Sequence, residues 1–351
     1  MNLRVVFGGI GMMVGVAWFE SELRGQPVSQ LEAIHVAEIH TGGAVESVEL
    51  HRTERGKAYR VRSTDGQVLL VDGDHGRLLK RIEGPSEYEW PGIRVVAHRG
   101  GVLLGPPENT LPAIEKAIAV GADLIEIDIR QTVDGDLVLM HDATVNRTTN
   151  GSGAVTELSR AEIARLEVIH EGTEVIRVPG LGEALALMKG RIDADLDFKG
   201  GDLGKLVAAV RAAGMEDHAT MHASWERCQR LTGMEPRIRI RPTVQHPDQV
   251  RDLIQRLRPA MVNFDWHAVT EQSVRDAHLS GALAFVNCLE TADTDLYVRE
   301  AIRVGADYIQ SDRPDRVIII LRELGLRPDK PILGSRLGTP LRDPKLRYPL
   351  R

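Results

Sequence analysis

Between residues 94 and 326, short apolar runs alternate with longer stretches of helical spacing. The runs fall at 94–99, 123–130, 137–141, 192–199, 219–223, 237–243, 260–265, 282–287 and 307–311. Helix signals lie between many of them. Asn109 or Thr110 can cap a helix with Pro112 in its first turn, and Ser159 with Glu162 forms a capping box. Gly121, Gly214, Gly281 and Gly305 each stand just past a helical stretch, where a left-handed stop is wanted. Strand alternating with helix over this length predicts an α/β chain folded as a (β/α)8 TIM barrel over residues 94–326. Nine runs for eight strands means that one is miscounted or lies outside the barrel. A doubly wound open sheet is the structural runner-up, and the Gly-rich phosphate fingerprint of dinucleotide folds is missing for it.

Upstream the rhythm differs. Residues 30–83 open with Leu31, Ile34, Val36, Ala37 and Ile39, spaced for one helix that Gly42-Gly43 would end. Three alternating stretches follow, VESVEL, AYRVRS and QVLLV, with Asp65-Gly66 as a hairpin turn and Asp72-Gly73 as another. One helix on three antiparallel strands is a small α+β domain, about the least that can bury one sheet face. The stretch GPSEYEWPG, within residues 84–93, reads as a linker. Residues 1–29 hold Arg4 and then an apolar run from Val5 to Phe19, short of the ~20 residues that span a bilayer. That length suits a signal-peptide core, with Gly15-Val16-Ala17 as its small-x-small triplet; the alternatives are a buried helix or an uncleaved membrane anchor. The expected location is extracytoplasmic, periplasmic or secreted, with membrane association where the segment is retained. Residues 327–351 are rich in proline and basic side chains and read as an extended tail.

Composition narrows the classes. A hydrophobic fraction of 42% is ample for a large core, and a formal charge of −6 gives no nucleic-acid footprint. Cys228 and Cys288, the two cysteines, form no disulfide framework and have no zinc spacing.

Strands of a parallel barrel normally read as apolar runs, and two here break that rule. In DLIEIDIR, Glu126, Asp128 and Arg130 share one face; in RIDADLDFKG, Asp193, Asp195, Asp197 and Lys199 do. An inward row of carboxylates needs cations to compensate it, and oxygen donors favour Mg2+ or Ca2+ over zinc. The rival reading is a half-exposed strand whose polar face meets water. Two further runs end in histidine, His98 and His141, at the face where barrel sites are built. Two imidazoles beside a cation can share acid and base work. Arg99 offers a planar fork for phosphate oxygens and Lys199 a point charge. The set suits phosphoryl transfer on a phosphodiester.

The texts AHRGG…PENT, GADLIEIDIRQTVDGDLVLMHD, NRTTNGSG, DLDFKG, DAHLSGALAFVN and GADYIQSDRP closely resemble the glycerophosphodiester phosphodiesterase family over residues ~94–320. The resemblance implies a TIM barrel of the phospholipase-C-like phosphodiesterase type. It implies His98 and His141 as the catalytic pair, Arg99 on phosphate, and Glu126 and Asp128 as metal ligands. Asp197 matches the third ligand, usually a glutamate and so one methylene longer, two residues before the matching Lys199. Glu108 and Asn109 of the ENT loop join the substrate side as braces, Asn109 doubling as a helix cap. Where the family commonly has WTVN, this chain has Ala284-Phe285-Val286-Asn287, so the aromatic wall beside the phosphate is lost or supplied by Phe285. The short segment between His141 and Asp193 leaves no room for a large capping insertion and implies an open mouth. Residues 30–83 in turn resemble a PepSY domain, a binding or regulatory module of unknown partner.

The expected activity is metal-dependent hydrolysis of small glycerophosphodiesters to sn-glycerol 3-phosphate and an alcohol. Two alternatives stand beside it: a phospholipase D-like enzyme on lysolipids or sphingolipids, and a non-catalytic binding protein built around the N-terminal module.

Overall fold

The computed structural model describes residues 5–6, 27–53, 56–83, 88–89 and 92–327. Most of the expected leader, much of the linker and all of the tail beyond Arg327 lie outside the described residues. Among the described residues, no helix is long and apolar enough to cross a membrane. The described residues form two compact units: the N-terminal module together with residues 270–282, and residues 92–269 together with 283–327.

In the first unit, helix α1 (Gln30–Thr41) starts at a capping box. The Glu32 N–H donates to Ser29 Oγ at 3.3 Å, and the Ser29 N–H donates to Glu32 Oε2 at 2.7 Å. The antiparallel sheet runs β1 (Val5–Val6), β2 (Val45–Thr53), β3 (Gly56–Ser63), β4 (Val68–Asp72), β5 (Leu78–Glu83) and β6 (Tyr88–Glu89). Three strands were expected, and β5 is the substantial addition. Its alternation is masked in sequence because Arg81 takes an inward position, buried, with Nη2 donating to the His40 carbonyl at 2.9 Å. Ala33, Val36 and Ala37 of α1 pack on Val48, Val61, Leu69 and Val71. Leu279, from the helix Glu271–Leu279, completes that cluster.

The second unit contains β7 (Arg94–Ala97), β8 (Leu124–Gln131), β9 (Leu137–Leu139), β10 (Asp193–Phe198), β11 (Ala219–His222), β12 (Arg239–Ile240), β13 (Thr243–Val244), β14 (Met261–Phe264), β15 (Leu283–Cys288) and β16 (Tyr308–Ser311). All but β9 are parallel, in the order β12-β11-β10-β8-β7-β16-β15-β14-β13. The two ends of that path are consecutive in the chain, separated by Arg241 and Pro242. The Arg241 N–H donates to the Met221 carbonyl, and the Pro242 carbonyl accepts from the Asn263 N–H, both at 2.9 Å. So β12 and β13 are halves of one strand, interrupted where proline has no N–H to give, and the ring closes with eight. The surplus run is β9, which pairs antiparallel with β8 and lies outside the ring.

Alternation sorts the side chains. Ile125, Ile127 and Ile129 of β8, with Ala194, Leu196 and Phe198 of β10, face outward into an apolar cluster with Leu185, Leu206 and Val210 of the covering helices. Glu126, Asp128, Asp195 and Asp197 face the other way, into the ring. Helix α2 (Leu111–Val120) comes so close to the turn after β7 that a Cβ on Gly100 (φ +87°) would lie 2.7 Å from Ala113 Cβ.

In the first unit, Asp72 Oδ1 accepts from the N–H groups of Asp74 (2.7 Å) and His75 (2.9 Å). Burial pushes its carboxyl up, but hydrogen bonding to His75 and the nearby Arg77 charge outweigh it and hold it well below the ordinary carboxylate range. A depressed carboxyl adds stability above its unfolded pKa of about 3.9, and that stability drains away as pH falls. Asp72→Asn should therefore destabilise the N-terminal unit by about 1–3 kcal/mol at neutral pH. It should also flatten the loss below pH ~4, both read by hydrogen exchange over residues 27–83.

Candidate active site

The site begins where β7 stops. After Ala97 the chain turns through His98–Gly100, with Arg99 left-handed at φ 50° and ψ 29°. That conformation aims the Arg99 N–H at Glu126 Oε2, 2.8 Å away. Asn109 is left-handed too, at φ 57°, and its N–H donates to the Arg99 carbonyl at 2.9 Å. Its amide grips Asp128 twice: Nδ2 donates to Asp128 Oδ2 at 2.7 Å, and Oδ1 accepts from the Asp128 N–H at 3.0 Å. Left-handed residues other than glycine cost of order 1 kcal/mol each, and here both are held by bonds to the carboxylate strand. Thr110, not Asn109, caps α2, with Oγ1 accepting from the Ala113 N–H.

Glu126 and Asp128 on β8 and Asp197 on β10 bring one carboxylate oxygen each within 4.8 Å of one another. Register does this, because Asp197 lies beside Asp128 and Asp195 beside Glu126 across the parallel pair. Asp195 is matched by Arg241, whose Nη2 lies 2.8 Å from its Oδ2. Lys199 Nζ reaches Asp128 Oδ1 at 2.9 Å and Asp197 Oδ2 at 2.7 Å. Its ammonium is pulled down by burial but raised more by those two carboxylates. Among the described residues, no lysine or arginine pairs with Glu126. Burial, then repulsion from Asp128, Asp197 and Asp195, pushes its carboxyl well above the ordinary range. A buried glutamate crowded by three other carboxylates is what a divalent ion would relieve, so the donor set fits a hard cation bound through oxygen.

The two histidines sit at this same end. His98 Nδ1 is 2.7 Å from Asp312 Oδ1, and its Nε2 lies 4.0 Å from Glu126 Oε2. His141 follows β9, and the Met140 N–H donates to the Asp128 carbonyl at 3.0 Å, so His141 stands level with the carboxylates. Arg130 fixes the His141 carbonyl through Nε (2.9 Å) and Nη2 (2.7 Å). His141 Nδ1 is 2.7 Å from Asp142 Oδ1. Hydrogen bonding to Arg147 holds the Asp142 carboxyl far below its usual range, with His141 contributing.

A chain of charges joins the two halves. Arg99 reaches Asp128 through Nε (3.4 Å) and Glu108 Oε1 through Nη1 (3.2 Å). Arg147 then bridges Glu108 Oε1 at 2.7 Å and Asp142 Oδ2 at 2.8 Å. Burial raises the Glu108 carboxyl, but Arg147 and Arg99 bring it below normal. On the far side of the trio, His222 Nδ1 lies 3.2 Å from Asp197 Oδ1, with Nε2 2.7 Å from Thr243 Oγ1.

Sequence reasoning missed Asp312, Asp142, Arg147 and His222. Asp142, Arg147 and Asp312 each stood inside a motif, MHD, NRTTNGSG and GADYIQSDRP, whereas His222 lay in none. Phe285 requires a correction. It is fully buried in the ring, stacked on Tyr308 (centroids 5.5 Å apart) and under the Arg241 guanidinium at 4.0 Å, so it offers no wall at the mouth. Its register beside Tyr308 and Asn263 sets it a layer below the site.

The model of the glycerophosphoryl diester phosphodiesterase family matches residues 98–316. A glycerophosphodiester phosphodiesterase of Caldanaerobacter subterraneus is 28% identical over 66% of this chain and 98% of its own. The solved glycerophosphodiester phosphodiesterase of Agrobacterium tumefaciens is 29% identical with a TM-score of 0.56, covering 64% of this chain and 98% of that one. The fold is also shared with a structure from Silicibacter pomeroyi, at a TM-score of 0.60 and 24% identity over 68% of this chain and 96% of that one.

Calcium or magnesium titrated into chelator-treated protein should bind at one equivalent by calorimetry. Glu126→Gln should weaken that binding by at least ~tenfold, while Asp195→Asn, at a carboxylate already matched by Arg241, should weaken it less.

Proposed function

We propose that this chain, which belongs to the glycerophosphoryl diester phosphodiesterase family, hydrolyses glycerophosphodiesters to sn-glycerol 3-phosphate and an alcohol with a divalent cation at its carboxylate trio. One observation carries the reading: a carboxylate trio, buried at Glu126 and Asp128 and half-buried at Asp197, under-supplied with positive charge and flanked by two imidazoles that each have a carboxylate of their own. Glu126, Asp128 and Asp197 would hold the ion, with Mg2+ or Ca2+ the class their oxygens suit. When bound, such an ion draws charge from the phosphoryl oxygens. Asp197 is short for a third ligand, and its contact with His222 sets the direction of the carboxylate that must make up the reach.

The chain's own groups do the rest. Glu108 and Asp128 orient the Arg99 guanidinium, which keeps donors for phosphate oxygens, and Lys199 adds positive charge beside them. Asp312 accepts the Nδ1 proton of His98 and so leaves Nε2 facing Glu126 and the reacting group. Asp142 does the same for His141, and Arg147 keeps Asp142 ionised so that its hold on the ring persists. One imidazole takes the proton of the attacking hydroxyl while the other delivers a proton to the departing alkoxide. The Arg99–Glu108–Arg147–Asp142 chain fixes the spacing between them.

The N-terminal unit we read as a PepSY-like module working outside the cytoplasm, and residues 1–29 as what sends it there. Support comes from the Val5–Phe19 run and the helix-plus-sheet layout of residues 30–83. Cell fractionation with N-terminal sequencing of the mature protein tests this, and a cytoplasmic protein with Met1 retained would count against it.

Glycerophosphocholine and glycerophosphoethanolamine, incubated with the protein and Ca2+ or Mg2+, should release sn-glycerol 3-phosphate, and chelator should stop the release. Undiminished turnover in chelator, or preferential cleavage of a lysophospholipid, would overturn the reading. His98→Ala and His141→Ala should each lower kcat by roughly 10²–10⁴-fold without lowering the melting temperature. Asp312→Asn should lower kcat in the same direction with KM little changed, because it acts through His98 rather than on the substrate.

A further inference from the structure

The opposite end of the ring carries a second charged cluster that phosphodiester chemistry does not use. Four strands begin there with polar residues facing inward: Arg94 opens β7, Asp193 opens β10, Arg239 opens β12 and Tyr308 opens β16. Tyr308 pairs laterally with Arg94, and Thr220 of β11 pairs with Arg239, so these side chains occupy one level of the interior. Arg94 is 1% exposed, and Tyr308 and Thr220 are fully buried.

Both guanidiniums converge on a single carboxylate oxygen. Arg94 Nη1 lies 3.4 Å and Arg239 Nη2 3.6 Å from Asp193 Oδ2, while His218 Nδ1 takes Asp193 Oδ1 at 2.9 Å. Asp193 is the one carboxylate within 4.0 Å of either guanidinium among the described residues. Much of the donor capacity is left over. Arg94 Nε and Nη2, Arg239 Nε and Nη2, the Tyr308 hydroxyl and Thr220 Oγ1 are all buried without a hydrogen-bond partner. Burial pushes the Tyr308 phenol up despite the pull of Arg94 and Arg239, so it stays protonated and able to donate.

Two guanidiniums contact one carboxylate, the nearby buried Asp307 being turned to the Ala284 N–H at 2.9 Å, and the surplus donors come from four different strands. Buried charge of this kind needs a counter-charge, and buried donors need acceptors. A second carboxylate would satisfy both needs, but the level has none in contact. We propose that this end of the ring binds a small monoanion of halide size, held between Arg94 and Arg239 with the Tyr308 hydroxyl and Thr220 as further donors. One negative charge beyond Asp193 would match the two guanidiniums in contact with it. The packed layers of a barrel interior set its size, since polyatomic anions such as phosphate need more room than side-chain layers leave. The site is structural: it neutralises the ring's lower layer and lies away from the carboxylate trio.

Bromide is the probe. In crystals of the full chain purified and grown in bromide, data at the bromine absorption edge should show an anomalous peak between Arg94 and Arg239. Bromide peaks confined to the protein surface would overturn the proposal. In solution, the thermal midpoint of the wild-type chain should rise and saturate with chloride or bromide at constant ionic strength made up with gluconate. Arg239→Gln should lose that halide dependence. Equal wild-type midpoints in halide and gluconate would also refute it. Should Arg239→Gln fail to fold, the bromide map of the wild-type protein still decides.

Discussion

The constraint on which everything rests is the cost of placing several ionised carboxylates inside a closed ring. An unpaired charge in a low-dielectric interior is penalised by several kcal/mol, so each acid must find a counter-charge or be held protonated. The protein answers acid by acid: Arg241 for Asp195, Lys199 for Asp128 and Asp197, and two arginines for Asp193. Glu126 is left over, and its raised carboxyl records that shortage. Chemistry is located where compensation runs out, and structure where compensation is met or exceeded.

Rigidity follows from the same bonds. The turn after β7 and the loop before α2 both pass through left-handed residues that are not glycine, Arg99 and Asn109, and each is pinned to Glu126 or Asp128. Backbone strain and carboxylate position are thus linked: relaxing one would misplace the other. The arginine–carboxylate chain from Asp128 to Asp142 extends that coupling to His141, which sits on a different stretch of chain. Few waters need to reorganise around groups already held this way, which is the physical sense of a preorganised site.

Much of this could be read from the sequence, for reasons that differ by feature. The ring was legible because strand alternation is local: DLIEIDIR and DADLDFKG announce an inward acidic face and an outward apolar one in consecutive letters. The surplus run at 137–141 reads as a ring strand although Asp134-Gly135, the same hairpin signal as Asp65-Gly66, stands before it and marks an antiparallel return. Asp312 could not be seen as the partner of His98, 214 positions away. Arg147 likewise meets Glu108 across 39 residues with no periodicity to betray it. Phe285 misled because an aromatic residue on a late strand says nothing of its depth in the ring. In the N-terminal sheet, β5 was hidden by an arginine on its buried face, an exception to the rule by which strands are recognised.

His98 is anchored at the end of a ring strand, whereas His141 is carried by β9, which lies outside the ring between β8 and the Pro179–Gly180 stretch. Ring closure does not depend on that arm. Residues can be inserted into or removed from its tip without disturbing the eight-strand hydrogen-bonding circuit or the carboxylates within it. The imidazole at its other end is held apart from such changes by Arg130 and by the Arg147–Asp142 pair, so the arm can vary at its turn while the catalytic spacing stays fixed.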